Sequence, residues 1–135
     1  MTTLDTFQCS IITPERKVLE CDANFVAFPA HDGEMGVLNR RAPIVCKLGI
    51  GVLRVEGPAE NHTMFVDGGF AQVVENRLTI LTQQAREADD LEAAAAGQAL
   101  IEARAMKITD DASFTARTDA IQRAQIQLKL AKPAS

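Results

Sequence analysis

The sequence predicts an all-β N-terminal sandwich or barrel of about ten short strands, followed by a C-terminal antiparallel α-helical hairpin. Three observations carry that expectation. Short apolar runs separated by turn residues recur at close intervals as far as Thr82. Two glycine-bearing stretches, His31-Asp32-Gly33-Glu34-Met35-Gly36-Val37-Leu38 and Asp67-Gly68-Gly69-Phe70, each sit between strand-like runs. Alanine then dominates from about Glu87 to Lys107, where β-branched residues and proline are nearly absent. The expected division is a β-domain over 1–84 and a helix-turn-helix domain over 87–135.

Phe7-Gln8-Cys9-Ser10-Ile11 alternates apolar and polar residues, the pattern of a strand with one buried face. Thr13-Pro14-Glu15-Arg16 turns the chain, because proline presets φ at such a corner. Val18-Leu19-Glu20-Cys21 returns it, and Asn24 to Phe28 forms the next strand, stopped by Pro29. In the first glycine stretch, Asp32-Gly33 and Met35-Gly36 can each reverse the chain, since glycine tolerates positive φ. That pattern predicts a compact loop with Glu34 at its tip. Ile44 to Leu48 and Ile50 to Glu56 follow as strands, with Gly49 and Gly51 marking a bulge or a sheet corner. Gly57-Pro58-Ala59-Glu60-Asn61 is a turn. His62 to Val66 alternates, and Gly68-Gly69 reverses or bends the chain. Phe70 to Val74 and Arg77 to Thr82 flank a hairpin turn at Glu75-Asn76, although Asn-Arg is not a favoured turn pair.

Alanine is the strongest helix former, so a first helix is expected from about Glu87, capped by Asp89 or Asp90. Thr109-Asp110-Asp111 breaks it. A second helix starts at Asp111 or Ser113 and runs to about Lys132, ahead of Pro133. Phe114, Thr118, Ile121, Gln125 and Leu128 fall on one side of it at helical spacing. Burial of apolar surface yields roughly 25 cal/mol per Å², and alanine supplies little area. The hairpin is therefore expected to hold together as a unit while being held only modestly to the rest, a property suited to switching. On the residues alone an ordinary packed appendage that never moves ranks ahead of a switching one.

Composition narrows the function. The 135 residues suit one average domain, or a small domain with an appendage. Aromatic residues are 4% of the chain, with no Trp or Tyr, which leaves no stacking platform for single-stranded nucleic acid. Net charge is −4 without a basic cluster, which argues against a duplex-binding surface. Met1-Thr2-Thr3-Leu4-Asp5 has neither the basic nor the apolar region of a signal peptide. No apolar run approaches the roughly 20 residues that span a bilayer. Cys9, Cys21 and Cys46 read as small reduced hydrophobes, and His31 and His62 lack partners at metal-ligand spacing. Neither histidine lies in a nucleophile motif, and the chain has no P-loop. No cofactor, metal or catalytic set is expected.

Gly33-Glu34-Met35-Gly36-Val37, Arg41-Ala42-Pro43-Ile44 and Phe65-Val66-Asp67-Gly68-Gly69-Phe70, in this order ahead of an alanine-rich third, resemble the ε subunit of bacterial F-type rotary ATP synthases, the δ subunit of the mitochondrial enzyme. The resemblance runs from about Phe7 to the C-terminus and is strongest over the first two thirds. It implies a non-catalytic rotor subunit of the central stalk. The expected partners are the γ subunit, the c-ring and the α/β catalytic head, with no nucleic acid. The membrane would be met only peripherally, through the complex, at the cytoplasmic face of the bacterial inner membrane. Glu34, flanked by Arg40 and Arg41, would face the polar loops of the c-ring. Gly68, Gly69 and Phe70 would form the turn that serves the γ contact. Arg117, Arg123 and Lys129 would give the second helix a sparse basic face for the catalytic head, where the extended hairpin inhibits ATP hydrolysis.

The chain departs from the family pattern in three places. Arg41 stands where histidine is usual, and Asn39-Arg40 where Pro-Gly is usual. In the Ile/Leu-Asp-x-x-Arg-Ala motif with which some members bind ATP, Glu92 replaces the Asp and Ala95 the Arg. Losing the guanidinium removes a phosphate-pairing donor, so ATP binding is expected to be weak or absent. Two readings from other classes remain open on the residues alone. One is a free-standing small-ligand-binding β-sandwich with a helical dimerisation arm. The other is a hydrolase built around His31 or Asp67.

Overall fold

The computed structural model describes residues 6–131. Eight strands come first: β1 (Phe7–Ile12), β2 (Lys17–Ala23), β3 (Phe25–Ala30), β4 (Gly33–Leu38), β5 (Ile44–Glu56), β6 (Asn61–Val74), β7 (Arg77–Leu81) and β8 (Ala85–Glu87). A short 3-10 turn over Ala88–Asp90 leads to α1 (Ala93–Arg104) and α2 (Asp111–Leu130). The chain divides into two compact units between Ala85 and Arg86, so β8 straddles the division.

In the first unit the strands join in the order β2-β1-β7-β6-β5-β3-β4. Neighbours run antiparallel except β1 and β7, which are parallel. The alternation read in the first strand is real: Phe7, Cys9 and Ile11 are buried and their neighbours are not. They join Val26, Phe28, Val37, Leu53, Met64 and Ile80 in one core between the inner faces of a β-sandwich. The turn at Thr13–Arg16 closes with Thr13 N–H donating to Arg16 O at 2.9 Å, and Gly57 N–H closes the next clear turn on Glu60 O at 3.1 Å.

The described residues hold eight strands: β5 and β6, of 13 and 14 residues, each replace two of the expected short ones, while β4 and β8 lie where no strand was expected. Their ladder keeps one register from Ile44↔Val73 to Glu56↔Asn61. Gly49, Gly51, Gly68 and Gly69 therefore interrupt neither strand, and Gly68-Gly69 bends β6 without reversing it. The register shift in this region lies on the other side of β5, against β3 between Ala27 and Ala30.

The glycine stretch around Glu34 is also straighter than expected. His31-Asp32 alone makes the reversal, because Ala30 already pairs with Gly33. Glu34 is consequently in β4, opposite Pro29, and not at a loop tip. Gly36 makes no turn. It sits in the strand under the Phe25 ring, where an added Cβ would lie 2.8 Å from the ring.

The second unit is the expected helical hairpin, with different edges. Helix α1 begins at Ala93, not near Glu87, and neither Asp89 nor Asp90 caps it. Those aspartates lie in the 3-10 turn, and the buried, extended Leu91 separates it from the helix. Helix propensity cannot register that burial. Helix α2 is capped by Asp110, whose side chain accepts from Ser113 N–H at 2.8 Å, while Ser113 Oγ accepts from Asp110 N–H at 3.0 Å. This is a reciprocal capping box. The helix ends at Leu130, and the expected run to Lys132 and Pro133 lies outside the described residues, as does the stretch Met1 to Asp5. The side chosen from helical spacing is the outer one. Phe114, Thr118, Gln125 and Leu128 are exposed and Ile121 is half-buried, whereas Ala124 is buried. Small side chains face inward because they let two helices approach closely.

Candidate functional site

Glu34 projects from β4 beside Arg54 of β5, with its carboxylate 3.7 Å from the guanidinium. Both side chains are about half exposed, at 60% and 52%, so the pair is screened by water and contributes little to stability. The neighbouring groups of this region converge on Cys46. Met35 Sδ lies 4.0 Å from its thiol. Burial pushes the Cys46 thiol up, Arg41 works against that rise, and Asp32 adds to it. Asp32, in the β3–β4 turn, and Arg41, in the β4–β5 loop, thus both act on the Cys46 thiol. His31, in that turn, is held by its N–H donating to Lys47 O at 2.9 Å.

Arg40 is tied elsewhere. Its φ is 66°, the left-handed region. The resemblance places glycine at this position, and a left-handed backbone is a physical reason for glycine. The arginine is accommodated because Asn76 Oδ1 accepts Arg40 N–H at 2.7 Å. Asn76 Nδ2 also donates to Asn39 Oδ1 at 2.9 Å and to Thr6 O at 3.1 Å. One side chain therefore joins the β4–β5 loop, the β6–β7 turn and the chain entering β1. Glu75 and Asn76 form that turn with φ of 50° and 60°, the double left-handed conformation of a two-residue hairpin. The reading from residues identified this turn but missed Asn76 as a junction. The signal was present: Asn is the non-glycine residue best suited to such a turn, with an amide left over to bond outward.

The second glycine pair has its own geometry. Gly68 and Gly69 take φ of 68° and 105°. A Cβ on Gly69 would fall 1.8 Å from Leu81 O, so β6 and β7 approach through this residue. Beside it Asp67 N–H donates to Thr82 Oγ1 at 3.0 Å, which ties the backbone before the glycine pair to the residue that follows β7. Gly69 and Phe70 line a surface cleft of about 390 Å³ with Ile12, Pro14, Leu81 and Thr82. Phe70 is directly opposite Leu81, and both are exposed. Exposed Val45 and Val74 stand on the same outer face, opposite Gln72 and Arg77, so the face is mixed and Phe70 with Leu81 is its apolar cross-strand pair, which single residues in the sequence did not reveal. Its signal lies in the cross-strand register, which a one-dimensional pattern does not contain.

On the hairpin, Arg117 donates to Arg104 O at 3.3 Å, spanning α2 to the C-terminal end of α1. Its guanidinium is thereby engaged at a helix terminus that favours positive charge. Arg123 is half-buried and Lys129 is exposed. Glu92 is the exposed N-cap of α1, without a side-chain capping bond, and Ala95 is exposed one turn on. No helix of the described residues is long and apolar enough to cross a membrane.

The arrangement has relatives. The family of the ATP synthase delta/epsilon chain beta-sandwich domain matches residues 6–88. An ATP synthase epsilon chain of Rhodopirellula baltica is 39% identical over 127 residues, covering 94% of this chain and 99% of its own length. One from Symbiobacterium thermophilum is 39% identical over 126 residues, 90% of each chain. Among solved structures, a chain of the Euglena gracilis mitochondrial ATP synthase, determined with its c-ring, shares the fold at a TM-score of 0.79 and 23% identity, covering 93% of this chain and 81% of that one. A chain of the Tetrahymena thermophila mitochondrial ATP synthase central stalk and c-ring does so at 0.67 and 14%, covering 97% and 100%. Sequence and fold agree across both the sheet and the helices: the chain belongs to the ATP synthase delta/epsilon chain family.

Proposed function

We propose that this chain is a non-catalytic central-stalk subunit of a rotary ATP synthase. Its sandwich docks on the γ subunit and the c-ring, and its hairpin regulates ATP hydrolysis at the α/β head. The single observation that carries the reading is identity of 39% over 94% of this chain and 99% of an epsilon chain, so sheet and helices are matched together. The exposed apolar pair Phe70 and Leu81, directly opposite one another, supports a protein-docking role for the second glycine turn. Glu34, exposed and only weakly paired, is free to exchange Arg54 for a polar loop of the ring. Arg40 and Arg41 belong to that contact through different anchors, Asn76 for one and the surroundings of Cys46 for the other. Within the hairpin, Arg123 and Lys129 are the basic residues offered to the catalytic head, while Arg117 serves both the hairpin and that contact. The complex would place the chain peripherally at the cytoplasmic face of the bacterial inner membrane.

The test compares the full chain with one ending at Ala88, which keeps all of β8 and the whole family-matched segment. Both forms are expected to co-purify with γ and to restore ATP synthesis when the complex is reconstituted. ATP hydrolysis is expected to be faster with the shorter form. Failure of either form to retain γ would overturn the stalk assignment. Equal hydrolysis rates would remove the inhibitory role and leave the coupling role.

A further inference from the structure

Two cysteines face each other across the outermost pair of strands. β2 is the edge of the sheet, and in its ladder with β1 Cys9 lies directly opposite Cys21. Backbone polarity sorts the pair. Gln8 N–H donates to Asn76 O, and Ile12 O accepts from Thr82 N–H, so even positions of β1 turn their backbone groups toward β7. Odd positions, Cys9 among them, turn theirs toward β2, which makes Cys9 and Cys21 a hydrogen-bonded pair of the ladder. Such pairs have Cα atoms about 5.5 Å apart, inside the roughly 4.4–6.8 Å that a disulfide spans. Directly opposite residues also point to one face of the sheet. Here that face is the inner one, with Cys9 fully buried and Cys21 half-buried against the same core. No contact invoked for γ, the ring or the catalytic head uses either thiol.

We propose that Cys9 and Cys21 form a reversible cross-strand disulfide, which makes the β1–β2 edge a thiol–disulfide modification site for small disulfides of the glutathione class. Cys21 is the entry point because it is the more accessible. Its thiolate attacks one sulfur of the oxidant, forms a mixed disulfide and releases the first thiolate. Cys9 then attacks Cys21 Sγ, its proton passing to the departing second thiolate, which leaves as a thiol. Two protein thiols are oxidised, one disulfide bond of the reagent is reduced to two thiols, and the electrons balance. The second step is the slow one, since burial, with Cys21 adding to it, pushes the Cys9 thiol to about 12. Cross-strand Cβ atoms start about 4.5–5.5 Å apart and must draw together to roughly 3.5–4.5 Å, so strain takes back part of the stabilisation that closing the loop supplies and leaves the bond reducible. A labile bond of this kind suits a switchable staple better than a permanent one.

The full-length folded chain is incubated in glutathione disulfide and reduced glutathione at set ratios, quenched in acid, unfolded, alkylated and digested with trypsin. The expected product joins the peptides carrying Cys9 and Cys21 and leaves Cys46 outside the link. The melting temperature of the oxidised form is expected to rise by about 5 °C or more, and to fall back with dithiothreitol. Cys21→Ser, at the half-buried position, should abolish both the link and the shift. Three alkylated cysteines at every ratio, a joined peptide containing Cys46, or a mixed disulfide that persists at Cys21 would each overturn the proposal. The peptide map is read on the unaltered chain, so it stands even if a variant misfolds, and it is independent of the stalk assignment.

Discussion

Asn76 carries more of this structure than its place in a two-residue turn suggests. It is itself left-handed, and its amide satisfies the N–H of a second left-handed residue, Arg40. The two positions should respond oppositely to substitution. Asn76→Ala removes an acceptor from Arg40 and a donor from Thr6 O, and it loses the tolerance of Asn for positive φ; a cost of about 2 kcal/mol or more is expected in urea unfolding. Arg40→Gly relieves the backbone while keeping the N–H, so it should lie within about 1 kcal/mol of neutral, on the stabilising side. A destabilising Arg40→Gly would mean that the arginine side chain holds the loop. The glycine pair makes a similar contrast. Gly68→Ala meets open space and should cost only the left-handed backbone, about 1–2 kcal/mol. Gly69→Ala drives a methyl into Leu81 O and should cost more than about 3 kcal/mol or prevent folding, as the same denaturation series would record.

At the scale of elements, the capping box of α2 couples the hairpin to pH. Asp110 is held below the ordinary aspartate range, first by the backbone N–H of Ser113 and then by its hydroxyl. Since the folded value is depressed, the stabilisation is fully present above the unfolded value, near about pH 4, and is lost as pH falls through the folded one. Exchange protection of the Ser113 amide should therefore drop on acidification below about pH 4, while Asp110→Asn, which keeps an acceptor that does not titrate, should show no such drop. Equal acid sensitivity in both forms would place the titrating group elsewhere. The cap region was legible because Asp110, Asp111 and Ser113 interrupt an alanine-rich pattern with residues that bond the backbone. The start of α1 was not, because burial of Leu91 decides it and composition does not encode burial. The same limit explains β5 and β6. Glycine announces that the backbone does something unusual, but whether a strand bends or ends depends on a partner strand keeping register across it. The residues around Glu34 were identified from their glycines, yet the sequence could not tell which glycine frees the backbone and which makes room for the Phe25 ring.

For the whole molecule, the distribution of the core makes a prediction about independence. Every residue of the main cluster, from Phe7 to Ile80, and those packed against it as far as Ala85 belong to the first unit. A chain ending at Ala88 retains that core, the continuous β5–β6 ladder and the Asn76 junction. It should give a single cooperative thermal transition with near-native amide protection in β5 and β6, because sheet cooperativity follows from contacts that all remain. A deletion that costs the sheet 1 kcal/mol would move its midpoint by only about 4–8 °C at this size, so the transition should survive even a modest contribution from the helices. Loss of the transition, or protection confined to β6, would mean that the helices complete the sheet's fold. In that case a hairpin that leaves the sheet could not do so without unfolding it, and regulation by relocation would be physically excluded. A sharp transition in the shortened chain is thus the condition under which one unit can hold the stalk while the other changes place.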